Sequence, residues 1–413
     1  MNNDQRSPLQ NFVLILIIGA LNTITPFTID MYLPAFPKIA AEMHTDIQTV
    51  ALTVSAYFFG FSLGQILYGP LLDRFGRKPP LYVGLCFYVG ATIACALSTS
   101  ITSFLVFRFL QALGGCVASV AAMAMVIDFF PADKSSRILS TLILILGASP
   151  LLAPTIGGLI ITAWSWQYVF VVLAIFAVLM IACVFFFLPE GQQPDPSISL
   201  KPKPIINGFK RVLFEPLFYV FTLAGSLSFA GLFVYVAGSP AIFMEEFGVS
   251  PRTYSFIFAG LSVGFITSSQ FNHLLAKRFS SKQILRTVLI FQASVAIGFL
   301  IAAITGHCGF VPTLCFLFLI LACCGLTYPN AAAIALSPFK RNAGTASALL
   351  GFIQIGLGGF ISACVGMLHF KGSLATALIM AASASLAVLL LLLNKKLLNQ
   401  EIQTDGAVRI MAH

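Results

Sequence analysis

Few ionisable side chains lie within the long apolar runs; chemistry is possible at Asp30, Arg108 and Asp128, and the runs of the second half hold none away from their ends except His273. A charge at bilayer depth costs about 2.5–3.5 kcal/mol on insertion scales, so such residues are rare and mark function. Asp30 sits between Pro26 and Pro34, which loosen the helix hydrogen bonding around it. A carboxyl held away from water takes up a proton more readily than one in solution, which makes Asp30 the candidate proton carrier. The alternative is a solvated carboxylate at a wet helix end. Arg108, in Phe107-Arg108-Phe109-Leu110-Gln111, stays charged at any working pH and needs a partner, carbonyl oxygens or a wet cavity. Gln111 shares its helical face. Either Arg108 only fixes its helix against the first one, or it also lowers the proton affinity of the acidic site in one conformation. Coupled exchange across a membrane requires the second.

The segment Gly69-Pro70-Leu71-Leu72-Asp73-Arg74-Phe75-Gly76-Arg77-Lys78 is a compact, charged turn between apolar runs. Asp73 is expected to meet a helix amino end, where the dipole favours anions, and Arg77 to pair with Asp128. Gly69, Asp73, Arg74, Gly76, Arg77 and Asp128 would then form a latch that holds one conformation and breaks in another. A basic loop that merely sets topology is the blander reading. Gly147, Pro150, Ala153, Pro154, Gly157 and Gly158 combine small residues with two prolines in one run. Small residues permit close helix approach in lipid and proline bends a helix; an ordinary packed, kinked helix remains equally open. Asn22, Tyr32, Tyr57, Gln65, Gln111, Tyr328 and Asn330 are polar groups in or beside the runs and are candidates to line a cavity and meet a substrate.

The elements that must position these groups follow from composition. Hydrophobic residues make up 58% of the 413, charged residues 9%, and mean hydropathy is +0.95. A water-facing domain carries about 25% charged residues, so lipid is the expected solvent. About 20 apolar residues span a bilayer. Runs of that kind are predicted at 9–36, 47–71, 80–99, 101–127, 138–162, 164–188, 213–238, 251–275, 283–305, 311–335, 343–368 and 373–393. The expected division is an amino-terminal six-helix bundle (1–188), a polar linker (189–212) and a carboxy-terminal six-helix bundle with a short tail (213–413). Both bundles would surround a central cavity in an all-α membrane protein.

The formal charge of +9 does not read as nucleic-acid binding, because the basic residues are scattered in short clusters between apolar runs. Arg74, Arg77, Lys78, Lys134, Arg137, Lys201, Lys203, Lys210, Arg211, Lys277, Arg278, Lys282, Arg286, Lys340 and Arg341 fall on one side. So do Arg6, Lys395, Lys396 and Arg409 at the ends, while only Lys38, Arg252 and Lys371 fall opposite. That asymmetry places both termini in the cytoplasm and the Trp164/Trp166 pair at the outer interface. Leu71 to Lys78 echoes Leu274 to Lys282, which suggests two parallel repeats with a cavity between them. The nine cysteines form no CxxC and read as small packing residues. No GxxxxGK[ST] loop or metal-ligand histidine spacing occurs, so no metal, cofactor, enzyme or ATP-driven pump is expected.

These motifs resemble the major facilitator superfamily, and within it the twelve-span drug:proton antiporters of the Bcr/CflA type. Gly69 to Lys78 is similar to the superfamily's loop motif. Arg108 with Gln111 is similar to the span 4 arginine motif, and Ala153 to Gly158 to the antiporter motif of span 5. Ile29-Asp30-Met31-Tyr32-Leu33-Pro34-Ala35-Phe36-Pro37 resembles the subgroup's span 1 signature. Leu72 replaces the small residue usual in the loop motif, and Ala112 and Ala153 stand where glycine is usual. The resemblance implies proton binding at Asp30, coupling by Arg108, a latch of Asp73, Arg77 and Asp128, and antiport-favouring geometry around Pro154. The expected activity is proton-coupled export of a small molecule by a monomer in the bacterial inner membrane. A metabolite or siderophore exporter and a proton-driven importer of the same fold are the alternatives.

Overall fold

The computed structural model describes residues 8–130, 132–191, 194–197, 200, 202–339, 343–368, 370 and 372–399. Arg6, Lys201, Lys340, Arg341, Lys371 and Arg409 of the topology argument lie outside the described residues, as do the side chains of Lys134 and Arg137. The regular elements are helices: α1 (Pro8–Asp30), α2 (Phe36–Glu42), α3 (Ile47–Phe75), α4 (Lys78–Ala96), α5 (Ile101–Phe129), α6 (Ala132–Ala163), α7 (Gln167–Phe187), α8 (Pro202–Leu213), α9 (Pro216–Pro240), α10 (Pro251–Leu275), α11 (Ser281–Ile304), α12 (Phe310–Leu336), α13 (Ala343–Met367), α14 (Gly372–Leu393) and α15 (Lys395–Asn399). A 3-10 turn, Leu33–Ala35, joins α1 to α2, and a π-helical turn, Ala241–Glu246, extends α9.

The helix starts are written in local chemistry. Asp46 accepts from the Thr49 amide at 2.6 Å, and Ser100 and Ser250 do the same for Ser103 and Thr253 at 3.2 Å. Ser280 and Gln283 form a reciprocal capping box on α11, which satisfies amides that have no partner within the helix. Gly76, with φ of 81°, makes the turn between α3 and α4, a conformation that a Cβ would strain.

Among the described residues ten helical stretches are long and apolar enough to cross a membrane, the first running from α1 through α2, and Gly147–Ala163 of α6 is a shorter apolar stretch. α10 is more polar, with Ser255, Ser262, Ser268, Gln270 and Asn272 along it. A polar span is tolerated where protein rather than lipid meets its polar groups. Ser255 donates to the Pro154 carbonyl of α6 at 2.8 Å, and Asn272 accepts from Asn330 of α12 at 2.6 Å.

The packing repeats. α1 packs on α5, α6 and α7; α4 packs on α5 and α7; α3 packs on α5. The second set copies this: α9 on α12, α13 and α14; α11 on α12 and α14; α10 on α12. Two seams join the sets, α3 with α13 and α6 with α10, and each is the other's counterpart under the repeat. At the end where the basic loops lie, the core divides into one cluster around Leu14, Leu85 and Val126 and another around Phe221, Leu289 and Leu349. At the opposite end a single cluster takes in residues of both sets, among them Tyr32, Phe58, Phe233 and Tyr254. The protein is therefore sealed at the opposite end.

One expectation about that end needs correcting. Trp164 is 61% exposed, as an interfacial indole would be, but Trp166 is 1% exposed. Its ring packs edge-on against Phe104 and Phe170, and its Nε1 donates to Glu42 at 2.7 Å. Packing against Phe104 and Phe170 holds the indole inward, and the Glu42 carboxylate, itself exposed, accepts from its edge.

Candidate functional site

Asp30 is the last residue of α1, where the prolines break the helix into the 3-10 turn. It is 5% exposed and has no hydrogen-bond or ion-pair partner among the described residues. The break that exposes backbone around Asp30 also sets Met31 against α6: a Cβ built on Gly157 would lie 1.8 Å from the Met31 carbonyl oxygen. Facing the carboxyl are groups of the other helix set. Asp30 is within electrostatic reach of the Tyr235 and Tyr254 hydroxyls, Tyr254 shares a hydrogen bond with Ser239 at 2.9 Å, and α10 packs on the 3-10 turn. The carboxyl thus lies in the sealed seam between the two sets. Tyr235, Ser239 and Tyr254 carry no motif in the sequence, and only the fold brings them to Asp30.

Arg108 does not meet Asp30, which corrects the expectation that the guanidinium and the carboxyl share one site. α5 turns Arg108 into the interior of its own helix set, while Asp30 faces the other. The guanidinium is 0% exposed and lies 4.3 Å from the Tyr32 ring centre, 4.6 Å from Tyr57 and 5.9 Å from Phe170. Its Nη1 donates to Gln111 Oε1 at 2.6 Å, and Gln111 passes the network on by donating to Thr92 at 2.9 Å. Among the described residues Nε and Nη2 have no hydrogen-bond partner, nor does the Tyr57 hydroxyl. Tyr32 and Tyr57 are therefore walls of a cation box and not the cavity lining expected of them. A desolvated cation over an aromatic face gains about 2 kcal/mol or more, which helps hold the charge without a carboxylate. Lysine lacks the planar fork that spans two rings and the Gln111 oxygen together. Arg108→Lys is expected to slow transport at least tenfold; a transport assay with a thermal melt checks this, and a lysine variant of unchanged rate would show that the box needs only charge.

The charges expected to form the latch lie together among the described residues. Arg77 Nη1 donates to Asp73 at 2.7 Å, and its Nε and Nη2 donate to Asp128 at 2.7 and 3.3 Å. Asp73 sits in the last turn of α3, so the arginine rather than the predicted helix amino end is its partner. Arg74 lies 5.8 Å from the Phe75 ring, and nothing crowds Gly69. Removing one partner of a largely buried pair leaves the other charge uncompensated, at about 3 kcal/mol. Arg77→Gln is expected to lower the melting temperature and cut transport severalfold; equal melting curves for wild type and variant would reduce the cluster to a topology signal.

The small-residue run of α6 also has a definite place. Ala153 is buried, Pro154 offers its carbonyl to Ser255, Gly157 receives Met31, and a Cβ on Gly158 would lie 2.7 Å from Ser255 Oγ. Gly147 faces Ile266 of α10 at ordinary contact distance, and Pro150 lies inside the same helix. Of the remaining candidates, Gln65 abuts Gly351 on the α3–α13 seam, Asn330 is bonded to Asn272, Asn22 is buried, and Tyr328 edges a small recess beside α9.

This is the architecture of a secondary transporter, and residues 18–363 match the model of the Major Facilitator Superfamily; the chain belongs to that superfamily. The bicyclomycin resistance protein homolog of Haemophilus influenzae is 29% identical over 389 residues, 94% of this chain and 96% of that protein. Multidrug resistance protein MdtL of Shigella flexneri is 30% identical over 341 residues, 81% of this chain and 84% of that protein. Among solved structures, the D-xylose-proton symporter aligns with a TM-score of 0.70 at 15% identity, over 91% of this chain and 97% of that one. A bacterial homolog of the human lysosomal transporter Spinster, in an inward-facing and unoccupied conformation, aligns with a TM-score of 0.69 at 17% identity, over 95% and 97%. These likenesses bear out the resemblance to the Bcr/CflA type and fix the class: a multi-pass membrane transporter of the major facilitator fold, not an enzyme.

Proposed function

We propose that the protein exports a small molecule in exchange for protons, with Asp30 as the proton carrier. The relatives named for drug resistance support the direction and the kind of cargo. The burial of Asp30 in the seam between the two helix sets is the observation that carries the coupling. An ionised carboxylate with no counter-charge is costly in that seam; a protonated one is not. The proton is therefore the condition for sealing the outer end. Bundle residues 1–188 and 213–413 rock about the α3–α13 and α6–α10 seams, joined by 189–212. Both termini lie in the cytoplasm of a bacterium, the inner membrane surrounds the helices, and one chain suffices.

The cycle follows. In the open-outward form Asp30 takes a proton from the medium, and the neutral carboxyl lets the outer seam close. Cargo entering from the cytoplasm favours loss of that proton to the inside, and the charged carboxylate then forces the outer seam apart. Each ligand shifts the equilibrium only through its unequal affinity for the two forms. Arg77, Asp73 and Asp128 join α3, α4 and α5 on the cytoplasmic face and make the first bundle move as a unit. Substrate binding should therefore release protons. Adding a transported compound to purified protein in weakly buffered detergent is expected to acidify the solution by up to one proton per chain, read with a pH dye. A transported compound that releases none would end the exchange reading.

A further inference from the structure

Most buried hydroxyls in the spans are satisfied by the carbonyl one turn back: Thr28 donates to Ile24 at 2.6 Å, Thr92 to Tyr88 at 2.6 Å and Ser262 to Phe258 at 2.8 Å. Such back-bonding is the ordinary way to place a hydroxyl in a helix facing no water. Two hydroxyls of α9, four residues apart on one face, break this pattern. Thr222, 3% exposed, has a wholly buried Oγ1 without a partner, and Ser226, 2% exposed, makes no hydrogen bond among the described residues. Across from them on α13, the Gln354 amide is 5% exposed and also makes no hydrogen bond among the described residues. The contrast with Gln292 is informative: that buried amide uses both ends, accepting from Ser228 Oγ at 2.5 Å and donating to the Ser228 carbonyl at 3.1 Å.

Thr222, Ser226 and Gln354 line one recess with Tyr328 and Gly225, with room for about one water-sized group. Its floor exists because α9 and α12 approach closely, a Cβ on Gly225 lying only 2.5 Å from that of Ala331. The Tyr328 ring, 4.9 Å from Phe229, closes one side, and its hydroxyl makes no hydrogen bond among the described residues. The recess lies at the end where the cores of the two sets are separate. No Asp, Glu, Lys, Arg or His lines it. Unpaired donors and acceptors gathered round an uncharged recess discriminate strongly for a ligand that completes their hydrogen bonds.

We infer that this recess is the subsite for a neutral hydroxyl or amide group of the transported molecule, bonded by Thr222, Ser226 and Gln354, while the apolar body of that molecule lies outside it between the two helix sets. This rests on the export reading and deepens it: the second helix set supplies recognition without charge, and the first supplies the proton chemistry.

The test separates the two claims by measuring binding and transport independently. Purified wild type and a Thr222→Val, Ser226→Ala, Gln354→Leu variant are titrated with two neutral probes, chloramphenicol and uridine, and two charged ones, ethidium and benzoate. Binding is read by calorimetry and transport in proteoliposomes with an imposed pH gradient. Wild type is expected to bind at least one neutral probe, and the variant to bind it at least tenfold more weakly, with any charged-probe binding changed less than twofold. Tyr328→Phe, which removes only a hydroxyl, is expected to weaken the same neutral probe severalfold and serves as the check if the triple variant does not fold. Binding without gradient-driven transport would defeat the export reading and leave the recess standing. Neutral probes that do not bind wild type, or that bind the variants as well as wild type, would show that the recess holds only water and overturn the inference.

Discussion

Asp30→Asn is expected to abolish uphill, proton-driven export while leaving a folded protein that still exchanges cargo for cargo. The substitution keeps the shape of the side chain and removes its titration, so the outer seam meets a permanently neutral group of the kind it accepts when sealed. Asp30 is 5% exposed and no described residue pairs with it, so removing the carboxylate breaks no ion pair and should cost little stability. What is lost is the charge that forces the seam open when the proton leaves. In inside-out vesicles with an imposed pH gradient, accumulation should fall to the level of vesicles treated with a proton ionophore, while counterflow persists. Labelling of an introduced cysteine at Ser239, beside Tyr254, should be slower in the Asp30→Asn background because the sealed form is enriched. Full accumulation by the variant would place the coupling carboxylate elsewhere.

Much of this was legible before any fold was known, because the relevant signals are local. Span lengths follow from apolar runs, and the Arg77–Asp128 pairing from charge and sidedness in adjacent loops. What could not be read was which way each helix faces. In lipid both faces of a span are apolar, so no amphipathic stripe tells core from exterior. That is why Arg108 and Asp30, both buried and opposite in sign, invited pairing, although α5 and the end of α1 turn them to different neighbours. Tyr32 and Tyr57 were assigned to a cavity for the same reason. Trp166 was read as interfacial because its partner, Glu42, lies 124 residues away in sequence. Nothing in the sequence marks Thr222, Ser226 and Gln354, because a hydroxyl or amide in a span carries no sign of whether its own helix satisfies it.

The second large effect is expected at Gly157, and it gives the small-residue run of α6 a mechanical meaning. Gly157 touches the Met31 carbonyl, one residue past Asp30, and a Cβ there would lie 1.8 Å from that oxygen. Backbone cannot swing aside as a side chain does. Nor can α6 retreat freely, because Ser255 of α10 donates to Pro154 and sits 2.7 Å from where a Cβ on Gly158 would be. The helix is thus wedged between the Met31 backbone of its own bundle and α10 of the other, at the level of Asp30. Overpacking a tight contact costs about 1–3 kcal/mol or more; the contact with Met31 lies within the first bundle, and the part of the cost that pushes α6 onto α10 falls on the sealed form. Gly157→Val should therefore hold the outer end open: faster labelling of a Ser239 cysteine, export below a tenth of wild type and a lower melting temperature. Gly147→Ala in the same run is the internal control, since its Cβ would meet Ile266 at 3.5 Å, an ordinary contact, and should export at close to the wild-type rate. If the two variants behaved alike, the run would matter for helix packing in general and not for sealing the outer end around Asp30.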